Sequence, residues 1–270
     1  LDRSSAASDV YKRQDLDRDL TLPIDEIRSS SFRHTALNGS PDAETMACLP
    51  EMRKGGIAAA LVKVAGRIRR PNSPIWGYRT AEAAYSAAHS HLAYYKVLSS
   101  KGETRLLTTS DEFKSHMAKW RETDDYTSLP VGLIIGMEGA DPIIWPDQVH
   151  EWWGHGLRVI SLSHYGVSTY SHGTGTGTDG GLFPPARELL IEMEKLGMIL
   201  DVTHTSDHSV REALEIFNGP ILASHQNCRS VTKGERQQPD DILSEIINRG
   251  GVIGHSMDTW MLYKLSLIHI

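Results

Sequence analysis

The chain has 270 residues, 40% hydrophobic and 23% charged, which is enough apolar content for a packed core and excludes bulk disorder. Its net charge of −6 excludes a general nucleic-acid binder, which needs a basic face. The two cysteines, Cys48 and Cys228, lack C-x-x-C spacing and read as reduced thiols rather than a disulfide framework or a cysteine zinc site.

No apolar run approaches the ~18 residues of a membrane span, and no secretory n-region and h-region is visible. The compartment is left open, with the cytoplasm as the default expectation. Residues 1–14 (LDRSSAASDVYKRQ) have no hydrophobic period and no capping logic. They read as a non-native leader, and residues 265–270 (LSLIHI) as a non-native tail, leaving 15–264 as one domain.

From about residue 55 onward, short apolar runs alternate with helical patterns. Residues 57–64 read as a strand. Thr80 caps an Ala-rich helix over 81–99, which contains His89-x-His91. Residues 105–108 form a brief extended piece. Thr109 and Glu112 form a capping box for a helix through Trp120. Further strands are expected at 131–137, 157–163, 198–203, 221–224 and 251–254. Between them, helices are expected from Pro146 to Trp153, Pro185 to Leu196, Ser206 or Asp207 to Phe217, and Pro239 to Asn248. Leu189, Leu190, Met193 and Leu196 give one of these an apolar stripe at helical spacing. Repeated strand–helix units with continuous apolar strands imply a parallel sheet covered by helices, either doubly wound or closed into a barrel.

The informative feature is the residue at which each strand ends. Glu138, His164, His204, His225 and His255 stand at the ends of five successive strands. In a parallel barrel these ends meet at one rim, where barrel enzymes place their chemistry. Apolar strands should not finish repeatedly in groups that are costly to bury unpaired. Imidazoles with a carboxylate suit a borderline cation such as Zn²⁺.

The stretches GMEGAD (136–141), SLSHYG (161–166), LGMILDVTHTSD (196–207) and PILASHQNCRSV (220–231), with GERQQPDD (234–241), resemble the renal (membrane) dipeptidase family in order and spacing. LPEMRKGGIAAALVKV (49–64) resembles the family's second strand and its approach. The resemblance covers roughly residues 15–263 and implies a (β/α)8 TIM-type barrel with dipeptides as substrates and zinc as cofactor. It implies that Glu138 bridges two zinc ions, that His204 and His225 ligate the second, and that His164 holds the scissile carbonyl and its oxyanion. It also implies that Arg236, eleven residues after His225, binds the substrate carboxylate, which a guanidinium fork matches at both oxygens. The reaction implied is metal-assisted hydrolysis by a hydroxide bridging the two ions. The resemblance leaves room for a homodimer.

The sequence departs from this pattern twice. The family's first strand carries His-x-Asp, the other ligand pair of the first zinc, and no His-x-Asp occurs here. His34, in RHTAL, reads as a surface histidine. The family's late proton-transferring Asp is also missing, and Asp258 stands in the preceding strand's loop. Both gaps fall where the flanks look foreign. The expectation is therefore an incomplete barrel lacking its first and last strands, open at two edges, and inactive or weakly active.

Gly175-x-Gly177-x-x-Gly180 fits the dinucleotide fingerprint by letter. No strand leads directly into it, and Pro184-Pro185 precedes its helix, so a flexible loop is expected instead. Other readings are an amidohydrolase-type or phosphotriesterase-type barrel, which would carry His-x-His on the first strand, and a non-catalytic barrel binding module that takes up no metal.

Overall fold

The computed structural model describes residues 20–25, 48–70, 76–177 and 179–262. His34 and both flanks lie outside these residues. The chain divides into two compact units.

One unit contains residues 20–25, 48–63 and 90–135. Its first helix, α1 (Leu49–Lys54), carries Pro50 in its first turn, where the missing N–H has no intrahelical acceptor anyway. Arg53 fixes α1 by donating to Leu129 O at 2.8 Å and to the Glu103 carboxylate at 2.8 Å. The strands are β1 (Ala59–Val64), whose last residue belongs to the other unit, β2 (Thr104–Leu106) and the first part of β3 (Val131–Glu138). β2 runs parallel to β3 with Thr104 opposite Val131 and Leu106 opposite Leu133. Just before β1, Ala58 O accepts from Gly132 N at 2.8 Å. Helix α3 (Ser110–Arg121) begins at the capping box read from the sequence. Thr109 Oγ1 accepts from Glu112 N at 3.2 Å, and the Glu112 carboxylate accepts from Thr109 N at 3.0 Å. Its inner face anchors to backbone through His116, 2.7 Å from Ala58 O, and Trp120 Nε1, which donates to Pro130 O.

The other unit contains residues 64–70, 76–89, 136–177 and 179–262. Helix α2 (Ala81–Ser100) begins in it. The end of β3 leads to a 3-10 turn (Pro146–Gln148), α4 (Val149–Gly154), β4 (Leu157–Ser161), α5 (Pro184–Leu196), β5 (Ile199–Asp201) and α6 (Asp207–Ile216). Then come β6 (Ile221–Ala223), α7 (Asp240–Asn248), β7 (Val252–Ile253) and α8 (Thr259–Leu262). β4 borders the end of β3. From β4 to β7 each strand pairs in parallel with the next, with Val159 opposite Ile199, Leu200 opposite Ile221 and Leu222 opposite Val252. Parallel pairing in chain order sends every C-terminal strand end to the same side, and this places the site.

The core of this unit is the expected apolar run of each strand against the helices. Leu189, Leu190 and Met193 on α5 are fully buried, each contributing about 1.5–3 kcal/mol relative to exposure. The α5 helix stops at Gly197, whose φ of 72° is left-handed, a conformation that costs glycine nothing sterically.

Several strands end one or two residues earlier than the apolar runs suggest. The predicted strand 157–163 stops pairing at Ser161, and 198–203 stops at Asp201. Beyond those points the backbone leaves the ladder to turn into the loops that carry the histidines. The predicted helix at Pro146 opens as a 3-10 turn before α4. Both cysteines are free thiols, Cys48 buried and Cys228 exposed. Among the described residues, no helix is long and apolar enough to cross a membrane.

Thr109→Ala removes one half of the capping box. It should lower unfolding stability by about 1 kcal/mol, read as an earlier midpoint in urea denaturation monitored by far-UV circular dichroism.

Candidate metal centre

Glu138 is the last residue of β3 and 3% exposed. A carboxylate in that position must be compensated by nearby charge or donors. Two imidazoles reach it. His204 Nε2 lies 3.2 Å and His225 Nε2 3.3 Å from Glu138 Oε1, and the two nitrogens are 3.0 Å apart. Ligands about 2.0–2.1 Å from a tetrahedral zinc are separated by roughly 3.3–3.4 Å, close to the spacing found. The donor set, two imidazole nitrogens and a carboxylate oxygen, therefore fits one such ion.

Two local features hold this geometry. His204 has φ 65°, a left-handed backbone that costs a non-glycine residue about 1–3 kcal/mol and persists only where its surroundings impose it. Here the imposition is visible. His204 O accepts from Thr174 N at 2.7 Å, and Thr205 bridges to Gly173. Gly173 has no room for a side chain, since a Cβ would lie 2.0 Å from His164 O and 2.5 Å from Gly166 O.

The second feature fixes the His225 ring. Ser224 Oγ donates to Asp201 Oδ2 at 2.5 Å. Its only proton is thereby used, so at 2.9 Å it accepts from His225 Nδ1–H. The opposite nitrogen, Nε2, then carries its lone pair toward Glu138, the form a metal requires. Asp201 is itself buried and held by the backbone N–H groups of Thr203 and Ser224, at 3.1 and 3.0 Å.

His164 sits beside the group without belonging to it. Its Nε2 is 3.9 Å from Glu138 Oε1 and its ring centroid 4.2 Å from that of His204. Its Nδ1 meets the Arg67 guanidinium. Arginine only donates, so Nδ1 accepts and Nε2 carries the proton. His164 is thus a neutral N–H donor aimed at the Glu138 side of the site.

Arg236 is 4% exposed, unlike an ordinary loop cation. It donates to Gln226 Oε1 at 2.6 Å and to His225 O at 2.7 Å, while its Nε has no hydrogen-bond partner among the described residues. Burial pulls its pKa below the usual guanidinium value, opposed by Tyr165 and Asp201. Its loop is pinned by Arg229, which grips Asp207 with both terminal nitrogens and bonds Gln237 O at 2.6 Å. The Asp207 carboxylate raises the Arg229 pKa.

Of the residues read from strand ends, Glu138, His204 and His225 come together, with His164 adjacent. His255 does not join them, being exposed beyond β7. That strand is only two residues long and its outer residue Val252 is largely exposed, so its end is not drawn inward. Arg67, Asp201 and Ser224 escaped the sequence reading. Asp201 left a signal, a carboxylate inside an apolar strand; Arg67, three residues beyond β1, left a weaker one. The glycine-rich segment 164–183 forms antiparallel bridges, Val167 to His172 and Ser171 to Leu182, and no strand runs directly into its G-x-G-x-x-G.

Parallel α/β architecture with a buried carboxylate at one strand end and imidazoles beyond two others is the class of fold and site that suits a metal at a barrel rim. A model of the membrane dipeptidase family, peptidase family M19, matches residues 13–261, and the chain belongs to this family. It is 33% identical over 130 residues to "Dipeptidase verJ" of Clonostachys rogersoniana, covering 47% of this chain and 34% of that one. It is 29% identical over 132 residues to "Uncharacterized dipeptidase C3A11.10c" of Schizosaccharomyces pombe, covering 48% and 32%. The chain thus spans about a third of the length of these curated relatives. A metallopeptidase from Rhodobacter sphaeroides, solved with a phosphinate mimic of L-Ala-D-Ala, superposes with a TM-score of 0.70 at 22% identity, covering 89% of this chain and 73% of that one. An M19 dipeptidase gives 0.70 at 24% identity, covering 85% and 68%. The fold is that of an incomplete TIM-type barrel.

Ser224→Ala removes the acceptor for His225 Nδ1–H. It should weaken zinc binding at this centre about 10–100-fold, measured by competition with a chromogenic chelator.

Proposed function

We propose that the chain carries the catalytic metal centre of a zinc-dependent dipeptidase. The observation that carries this reading is the convergence of buried Glu138 with His204 and His225, within 3.3 Å, in a chain of the M19 family. The likeness to a metallopeptidase solved with a dipeptide mimic supports dipeptides as substrates.

Glu138, His204 and His225 would hold one zinc ion. When bound, the ion supplies a Lewis acid for the peptide carbonyl and lowers the pKa of a water nucleophile. His164, donating through Nε2–H, would stabilise negative charge developing on the carbonyl oxygen. The partly exposed edge of His225, whose side chain is 26% accessible, gives solvent a path to the centre. Arg236 would take the substrate carboxylate with the donors left after Gln226 and the His225 carbonyl are served. Because it also supports the His225 turn, Arg236 links substrate binding to the metal ligand.

In this reading Glu138 would bridge to a second ion in the intact site. The sequence contains no His-x-Asp pair for that ion. The 270-residue chain is therefore expected to hydrolyse dipeptides more slowly than a full-length relative, and an equal rate would contradict this.

Glu138→Gln should abolish both zinc uptake at this centre and any dipeptide hydrolysis. Unchanged zinc content, or preferential cleavage of a lactone over a dipeptide, would refute the reading. Arg236→Lys should raise KM about tenfold or more with a smaller change in kcat, the signature of lost carboxylate binding.

A further inference from the structure

We infer that His89, Glu151 and His155 form a second transition-metal site, which shares no residue with the Glu138 centre. His89 lies on α2, Glu151 on α4, and His155 caps the C-terminus of α4. Glu151 and His155 are four residues apart and so occupy one helix face. His89 Nε2 and His155 Nε2 each lie 3.7 Å from Glu151 Oε1, and the ligand atoms of all three residues are within 4.8 Å of one another. Closing these gaps to the roughly 3.3–3.4 Å of tetrahedral zinc ligands takes only small side-chain movements.

The ligands are also oriented. The His89 ring stacks on Trp152, with centroids 4.3 Å apart and planes 29° apart, and meets the His155 ring edge-on at 5.2 Å. Tyr85 donates to Glu151 Oε1 at 2.5 Å, and Gln148 Nε2 donates to Glu151 Oε2 at 3.3 Å. Hydrogen bonding of a ligating carboxylate by an outer residue is the usual support of a metal site. Among the described residues no lysine or arginine pairs with Glu151, so its charge is not already neutralised.

The contrast is the Asp147, His150 and Glu192 group, which also has ligand atoms within reach of one ion. There Lys195 sits 2.6 Å from Glu192, so the charge an ion would need is already taken by an ammonium.

The Glu151 and His155 side chains are 41% and 39% accessible and open the group to solvent on one side, while His89 Nε2 is buried and would close its inner side. Two imidazoles and one carboxylate select Zn²⁺, Ni²⁺ or Cu²⁺ over Ca²⁺ or Mg²⁺. The remaining coordination position would be filled by water. Bound there, the ion clamps the first half of α2 to the end of α4.

Zinc titration of the full chain against a chromogenic chelator should show one ion fewer in His89→Ala and in His155→Ala than in the parent, with unchanged far-UV circular dichroism. His225→Ala should lose a different ion, so that His155→Ala/His225→Ala loses both. Copper-loaded His225→Ala should show two coupled nitrogens by electron paramagnetic resonance, falling to one when either surface histidine is replaced. Parent stoichiometry in both His89→Ala and His155→Ala would overturn the site, as would a His225→Ala chain that takes up no ion. The three residues would then be a protonatable ion-pair cluster.

Discussion

The structure turns on a carboxylate that cannot be left alone. Glu138 ends a buried strand with almost no solvent contact, where an uncompensated charge would be severely destabilising. Two imidazoles reach it, and those imidazoles come from loops after two other strands. The parallel register from β4 to β7 is therefore a condition of the site: a one-residue slip would turn alternate side chains to the opposite face.

Around this centre the chain accepts local cost for geometry. The left-handed backbone at His204 is unfavourable by itself, and the contacts of Thr174, Thr205 and Gly173 hold it in place. The Asp201–Ser224–His225 series buries a second carboxylate to decide which nitrogen of one ring faces the metal position. Arg236 is buried against the His225 carbonyl and so ties its own loop to the turn that carries that imidazole. Strain and buried charge concentrate where function needs fixed geometry, and the remote helices supply the compensating apolar burial.

The group at His89, Glu151 and His155 holds a similar donor set nearer the surface. Its donors are held by aromatic stacking and a tyrosine hydroxyl rather than by backbone strain. The Glu138 group, by contrast, is built into the ends of the strands.

Much was legible in the sequence because the signals were local. Apolar runs, caps such as Thr109 with Glu112, and the α5 stripe depend on neighbours three or four residues away. The alternation of these elements was enough for a parallel α/β fold, and the residues at the strand ends were enough to single out Glu138, His164, His204 and His225. Pairing distances and backbone conformation decided the rest. His255 looked equivalent to the other strand-end histidines, yet short and exposed β7 leaves it outside the cluster. Arg67 meets His164 across 97 residues, a contact no local pattern encodes. Arg236 reads as a solvated loop cation until folding buries it, and Asp201 reaches His225 through Ser224, just past the neighbouring strand. Periodicity reports which way a residue faces; which groups face one another is fixed by strand register, and register exists only in the folded sheet.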